Sequence, residues 1–262
     1  MRKLVHVVPL GWEYDRVILP LKLMRAHRVH ILCKPDSDPV RSHYLDKLIS
    51  WLKKEHIQHE HHDVDSNSDL EGMLETISKI TQTEQTEGNM VSINIASAGK
   101  VAAAACMLAA MAHLNPERGV LYYPVAERYA YEEADRLGHG LAVGMNGEPK
   151  EIPFFRLRIP EGDLRTALRL LSEAPEGRLS YGQCMERLRA SGCKGYDISR
   201  VGRTGKRGTP RNLANVTLNR RVVKKLLESG FVVVDSIGQE RFMQLTEEGQ
   251  HMAMLCALGN QR

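Results

Sequence analysis

Hydrophobic positions in the first half of the chain recur in two alternating rhythms. Short apolar runs at Leu4–Val8, Arg28–Cys33, Met90–Ala96 and Gly119–Val125 predict buried strands, and Ile57–Val64 predicts a poorer one. Between them, apolar residues at helical spacing predict helices over Tyr14–Met24, Pro39–Glu55, Asp69–Thr81 and Lys100–His113. Pro20 lies inside the first of these and predicts a kink or an early stop. The last is Ala-rich and apolar almost all round, as a buried helix should be. Strands alternating with helices imply βαβ units, so a Rossmann-like, mostly parallel sheet flanked by helices is expected over residues 1–150.

The rhythm fades after Ala126. Gly138, Gly140, Gly144 and Gly147 are expected to break any helix, Pro149–Pro153 to mark a boundary, and Leu157–Ile159 to form a last strand. Beyond Pro160 the pattern becomes one of short helices: Asp163–Ser172, Ser180–Ala190 with Ser180 as N-cap, and Asn212–Ser229. Phe231–Asp235 and Arg241–Leu245 then predict a hairpin, and Thr246 caps a closing helix through Leu258. That order is the order of a winged helix-turn-helix domain, expected over residues 151–262. The stretch from Leu227-Glu228-Ser229-Gly230 to "LTEEG" (Leu245–Gly249) resembles many winged-helix transcriptional regulators.

Charge separates the two halves. Residues 1–149 carry 16 Lys and Arg against 20 Asp and Glu, whereas residues 150–262 carry 20 against 12. An acidic sensor joined to a basic module suits a partner such as double-stranded DNA. The candidate recognition helix, Asn212–Leu227, is expected to turn Val216, Val223, Leu226 and Leu227 to the core. Arg220, Arg221, Lys224 and Lys225 then face phosphates or base edges. Upstream, Arg203, Lys206, Arg207, Arg211 and Asn212 stand in or beside a basic, glycine-bearing segment suited to phosphate contacts. The wing tip, Ser236–Gln239, is uncharged and is expected to add little.

Two loops at the carboxyl ends of strands carry candidate chemistry in the first half. Pro9 to Arg16 follows the first strand, and Ser97-Ala98-Gly99-Lys100 joins the fourth strand to the buried helix. Small residues there let main-chain N–H groups approach a phosphate at a helix start, and Lys100 adds a point charge. Neither loop is a standard nucleotide motif: G-x-G-x-x-G is absent, and Asn94 and Val101 stand where a P-loop needs Gly and Ser or Thr.

His56, His59, His61 and His62 crowd the third strand, with His59 and His61 on one face. Without a third ligand they read as surface histidines, so no metal is expected. Glu127, Arg128, Tyr129, Tyr131 and Glu132 either rim the pocket or belong to an exposed helix. The five cysteines are scattered without a C-x-x-C pair, no apolar run is long enough to span a bilayer, and a cytoplasmic location is expected.

Taken together, V-H-V-V-P-L-G-W-E-Y-D-R-V-I-L-P-L (residues 5–21) and I-N-I-A-S-A-G-K-V-A-A-A-A (residues 93–105) resemble the CRISPR-associated Rossmann fold (CARF) family, in the branch where a CARF domain precedes a winged helix. The resemblance implies a homodimer whose N-terminal domains share one pocket for a cyclic oligoadenylate, the tetra-adenylate foremost. It implies ligand contacts from Leu10, Gly11, Tyr14, Asp15, Arg16, Ser97, Ala98, Gly99 and Lys100, with Ala98 departing from the Gly or hydroxyl frequent in related loops. A ligand-responsive, non-enzymatic regulator without a cofactor is the leading expectation. Two alternatives stay open: a slow ring nuclease whose winged helix serves dimerisation, and a regulator sensing an unrelated metabolite.

Overall fold

In the computed structural model, which describes residues 2–34, 39–66, 68–97, 99–196 and 210–257, the chain divides into two units, residues 1–157 and 158–262. In the first, β1 (Leu4–Pro9), β2 (Arg28–Leu32), β3 (Gln58–His62), β4 (Met90–Asn94) and β5 (Gly119–Tyr123) pair in parallel. The short β8 (Lys150–Glu151) adds to β5 antiparallel, giving the order β3-β2-β1-β4-β5-β8. This Rossmann-like sheet is flanked by α1 (Asp15–Leu23), α2 (Pro39–Lys54), α3 (Leu70–Thr86) and α4 (Lys100–His113). The direction of winding reverses between β1 and β4, and in open α/β sheets the carboxyl ends of strands at such a reversal are where ligands bind.

Side-chain alternation assigns each strand residue to a face. Val8, Leu10, Val29 and Ile31 pack against Val17 and Leu21 of α1 and Leu45, Leu48 and Leu52 of α2. On the opposite side α3 packs along α4, where His30 meets Glu84 of α3 at 2.9 Å. Burial alone would raise the Glu84 carboxyl, but hydrogen bonds from His30, Arg28 and Asn89 outweigh it and hold it below its ordinary range.

Two expectations for the middle of the chain are corrected. The glycines after Ala126 do not exclude a helix: α5 (Glu133–His139) runs through Gly138 between two short strands, β6 (Arg128–Tyr129) and β7 (Ala142–Val143). Leu157–Ile159 forms no strand. The sixth strand is Lys150–Glu151, within the stretch expected to be a boundary.

The second unit is a winged helix: α6 (Asp163–Ser172), β9 (Arg178–Ser180), α7 (Tyr181–Ala190), α8 (Pro210–Leu218), α9 (Lys224–Glu228), β10 (Val232–Ile237), β11 (Glu240–Leu245) and α10 (Glu247–Ala257). Ser180 caps α7 through a full capping box with Gln183, and Thr246 Oγ1 accepts from Gly249 N at 3.0 Å. The small strand β9, not anticipated, pairs with β11 and widens the hairpin into a three-stranded sheet. Among the described residues no helix is long and apolar enough to cross a membrane.

His6, on the α1 side of β1, is fully buried, and burial lowers its pKa from 6.5 to about 3. Between those values the unfolded chain binds a proton that the folded one refuses, so stability is lost as the pH falls from 6.5 toward 3. The expected cost to this unit is about 1.4 kcal/mol per pH unit across that window. In denaturant unfolding of the full chain followed by hydrogen exchange of β1 amides, His6→Gln removes this component of the slope. An identical slope in both proteins contradicts the assignment.

Candidate ligand site and nucleic-acid interface

Pro20 sits inside α1 and has no N–H to give to the Arg16 carbonyl four residues back. The helix nevertheless continues past it to Leu23. Asn94 Nδ2, at the end of β4, donates to Arg16 O at 2.9 Å in place of the missing amide. The other end of the same side chain, Oδ1, accepts from Ala96 N at 2.9 Å and shapes the second loop. Ser97, fully buried, donates from Oγ to Pro9 O at the end of β1. Both glycine-bearing turns are thus stitched to each other at the reversal point of the sheet.

Within this rim the expected contact residues divide by exposure. Gly99 is the N-cap of α4 and offers no side chain to its first-turn amides, and Lys100 is exposed beside it. Ala98 lies outside the described residues. Arg16 is buried: Nε donates to Pro124 O at 2.8 Å, Nη1 pairs with Glu13, and its guanidinium lies 4.4 Å from the Tyr123 ring centre. Among the described residues its Nη2 has no hydrogen-bond partner. Burial raises the Glu13 carboxyl, with the Arg16 charge and hydrogen bond acting against it.

Leu10, Gly11, Tyr14 and Asp15 are buried, three of them in bonds and packing that the sequence did not foretell. Leu10 belongs to the core between sheet and helices. Tyr14 stacks on Tyr44 with ring centres 6.0 Å apart, Lys47 Nζ lies 4.3 Å from its ring centre, and burial pushes its hydroxyl up to about 12, with Asp15 adding to the effect. Asp15 Oδ2 accepts from Gly144 N at 2.8 Å and from His139 Nδ1 at 2.9 Å. Trp12 O accepts from Leu141 N at 2.7 Å. Segment 128–144 is therefore the cover that shapes the first loop. Gly140 makes this possible: its φ is +88°, and a Cβ there would stand 2.2 Å from Trp12 O. Of the residues offered as a rim, Tyr129 and Tyr131 are exposed, and Arg128 pairs with Asp135 at 2.6 Å.

In the winged helix, the inward face of the recognition helix is Ala214, Leu218, Val222, Val223 and Leu226. Val216 and Leu227, expected inside, are 62% and 48% exposed. The cause is one π turn at Asn219–Val223 between α8 and α9. A wider turn keeps positions four apart on one face, where a regular 3.6-residue period rotates them away. The exposed stripe becomes Leu213, Val216, Arg220 and Lys224, a face that combines apolar surface with charge. Lys224 has only a loose pairing to Glu228 at 3.7 Å. Arg221, itself half exposed, is engaged within the unit, donating to Lys194 O at 3.1 Å beside Asp163 at 3.6 Å. Arg203, Lys206 and Arg207 lie outside the described residues, and Arg211 and Asn212 stand in the first turn of α8 by main chain.

Residues 4–129 match a family described as HFX_2341_N-like, N-terminal, and residues 163–257 match the DUF6293 C-terminal winged helix domain. No curated protein matches the chain. Similar solved structures include protein VC1899 from Vibrio cholerae, 11% identical with TM-score 0.40, covering 96% of this chain and 64% of that one. Can2 from Sulfobacillus thermosulfidooxidans, solved in complex with cyclic tetra-adenylate, is 12% identical with TM-score 0.39, covering 95% and 63%. Enterococcus italicus Csm6, bound to cyclic hexa-2'-fluoro-hexa-dAMP, is 12% identical with TM-score 0.43, covering 87% and 55%. The chain spans less than two thirds of the length of each.

The Asn94 bracket makes a quantitative prediction. Asn94→Ala leaves Arg16 O and Ala96 N without their buried partner and is expected to cost about 2–4 kcal/mol. In a Pro20→Ala background an amide is available for Arg16 O, so the same substitution should cost about 1 kcal/mol less. A double-mutant cycle in urea measures the difference, and strict additivity would remove the proposed role of Asn94.

Proposed function

We propose that this chain, an HFX_2341_N-like N-terminal domain followed by a DUF6293 C-terminal winged helix domain, is a ligand-responsive DNA-binding transcriptional regulator. Its N-terminal domains pair as a CARF-like homodimer around a cyclic oligoadenylate, the tetra-adenylate being the first candidate. It is a sensor and not an enzyme.

The observation that carries this reading is the stitching of both turns at the sheet's reversal point by Ser97 and Asn94. Uncapped amides at the start of α4 and the exposed Lys100 ammonium favour a negatively charged guest there. A cyclic polyanion with two-fold symmetry suits an isologous interface in which each subunit brings the same turn. Trp12, Tyr131 and Leu137, respectively 43%, 86% and 61% exposed on and beside the cover segment, supply apolar surface for that pairing. The described face of the recognition helix suits duplex DNA: Arg220 and Lys224 for phosphates, Leu213 and Val216 for thymine methyl groups. Five free cysteines, none in a disulfide, accord with a cytoplasmic setting.

Calorimetric titration with cyclic tetra-adenylate, cyclic hexa-adenylate and linear nucleotides tests the sensor. Lys100→Ala is expected to weaken the cyclic ligand about tenfold, equal to about 1.4 kcal/mol, with the fold unchanged. Absence of heat with every cyclic oligoadenylate overturns the ligand assignment, and linear products after incubation would show a ring nuclease instead.

For the DNA-binding half, Arg220→Ala and Lys224→Ala should each lower the salt slope of duplex affinity by about 1 in fluorescence anisotropy. Arg221→Ala should leave that slope unchanged and lower the thermal stability of the winged helix. An Arg221 effect on the slope as large as that of Arg220 would count against this division.

A further inference from the structure

His30 on β2 and Glu60 and His62 on β3 project from the same face of the sheet, because the parallel register sets His30 opposite Glu60 and Leu32 opposite His62. His30 Nδ1 lies 3.0 Å from His62 Nε2 and 3.6 Å from Glu60 Oε2, and His62 Nε2 lies 3.9 Å from Glu60 Oε1. Three donor atoms, one from each side chain, fall within 4.8 Å of one another. We propose that His30, Glu60 and His62 form a binding site for a divalent transition-metal ion of the zinc class, with water completing a four-coordinate shell.

The spacing suits such an ion. Two metal–nitrogen bonds of about 2.0 Å at a tetrahedral angle place their nitrogens about 3.3 Å apart, close to the 3.0 Å between His30 Nδ1 and His62 Nε2, and a swing of the exposed Glu60 carboxylate closes the third corner. Two imidazoles and one carboxylate select zinc, cobalt or nickel over the hard cations magnesium and calcium, which take oxygen ligands.

The surroundings also fit. His30 Nε2 bonds Glu84 Oε1 at 2.9 Å, and Glu84 is held in turn by Arg28 at 2.5 Å and by Asn89 at 2.6 Å. An ionised Glu84 accepts a proton-bearing Nε2, which fixes the His30 tautomer with its lone pair on Nδ1, toward the other two ligands. Carboxylate–histidine pairs of this kind orient metal-binding imidazoles. His30 is 6% exposed, His62 21% and Glu60 63%, a gradient that anchors one ligand and leaves the ion a route from solvent. Sequence reasoning weighed His59 with His61, which share the opposite face, where His61 bonds the Cys33 carbonyl at 2.9 Å. The third ligand came from a neighbouring strand 30 residues away and was invisible to spacing within one strand.

The test is isothermal calorimetry of the metal-free full-length protein with zinc chloride, metal content after dialysis, and the visible spectrum with cobalt(II). One zinc per chain and an intense four-coordinate cobalt spectrum are expected. Glu60→Ala, at an exposed position, should lose the cobalt spectrum while keeping the native circular dichroism. His62→Ala should abolish stoichiometric zinc binding, Glu84→Gln should weaken it about 10–100-fold, and His61→Ala should leave it intact. No zinc uptake by the unmodified protein overturns the proposal, as does uptake that survives both Glu60→Ala and His62→Ala. Loss with His61→Ala but not with Glu60→Ala would relocate the metal to the other face and equally overturn it.

Discussion

A proline that cannot donate a hydrogen bond organises the carboxyl rim of the parallel sheet. Because Pro20 leaves the Arg16 carbonyl unserved, α1 persists only where another donor reaches it, and that donor is the side chain of Asn94. A buried, unsatisfied carbonyl costs about 1–3 kcal/mol, so the first helix and the end of β4 are held in one arrangement. Ser97 adds a second tie, from the following loop to the last residue of β1. The two ties draw together elements more than 70 residues apart, and the relative position of the turns is set by hydrogen-bond geometry and not by loop length.

Most of the scaffold was legible from periodicity alone, since β1, β2, β4, β5 and their helices carry apolar patterns that only one fold class satisfies. The winged helix was legible from element order and from two caps, Ser180 and Thr246. What escaped was everything decided by pairing between distant segments. Segment 128–144 has weak periodicity because it contributes little core, and its stability comes from main-chain and charged contacts to Trp12, Asp15, Tyr44 and Lys47. In the sequence, Asn94 stands out only as a residue incompatible with a P-loop. Its value depends on Pro20, a relation that no local window contains.

The helix pair α8 and α9 shows a different limit. A 3.6-residue period assigned Val216 and Leu227 to the core, and the π turn at Asn219–Val223 shifted the face so that both are outside. The shift also sorted the basic residues, retaining Arg221 for Asp163 and the Lys194 carbonyl while releasing Arg220 and Lys224 to the surface. Counting cations on a helix says how much charge is present, whereas the turn geometry decides which of it is free.

Asp15 reaches Gly144 and His139, more than 120 residues further along the chain. During synthesis the first loop therefore leaves the ribosome long before the segment that gives it shape. With elongation at about 5–20 residues per second, it waits about 6–26 seconds without its partners. The sheet can assemble in that interval, but the rim takes its final shape only after the translating ribosome has passed Gly144. In a cell, the finished shape of this rim thus begins at a definite point in translation and belongs to nearly complete N-terminal domains.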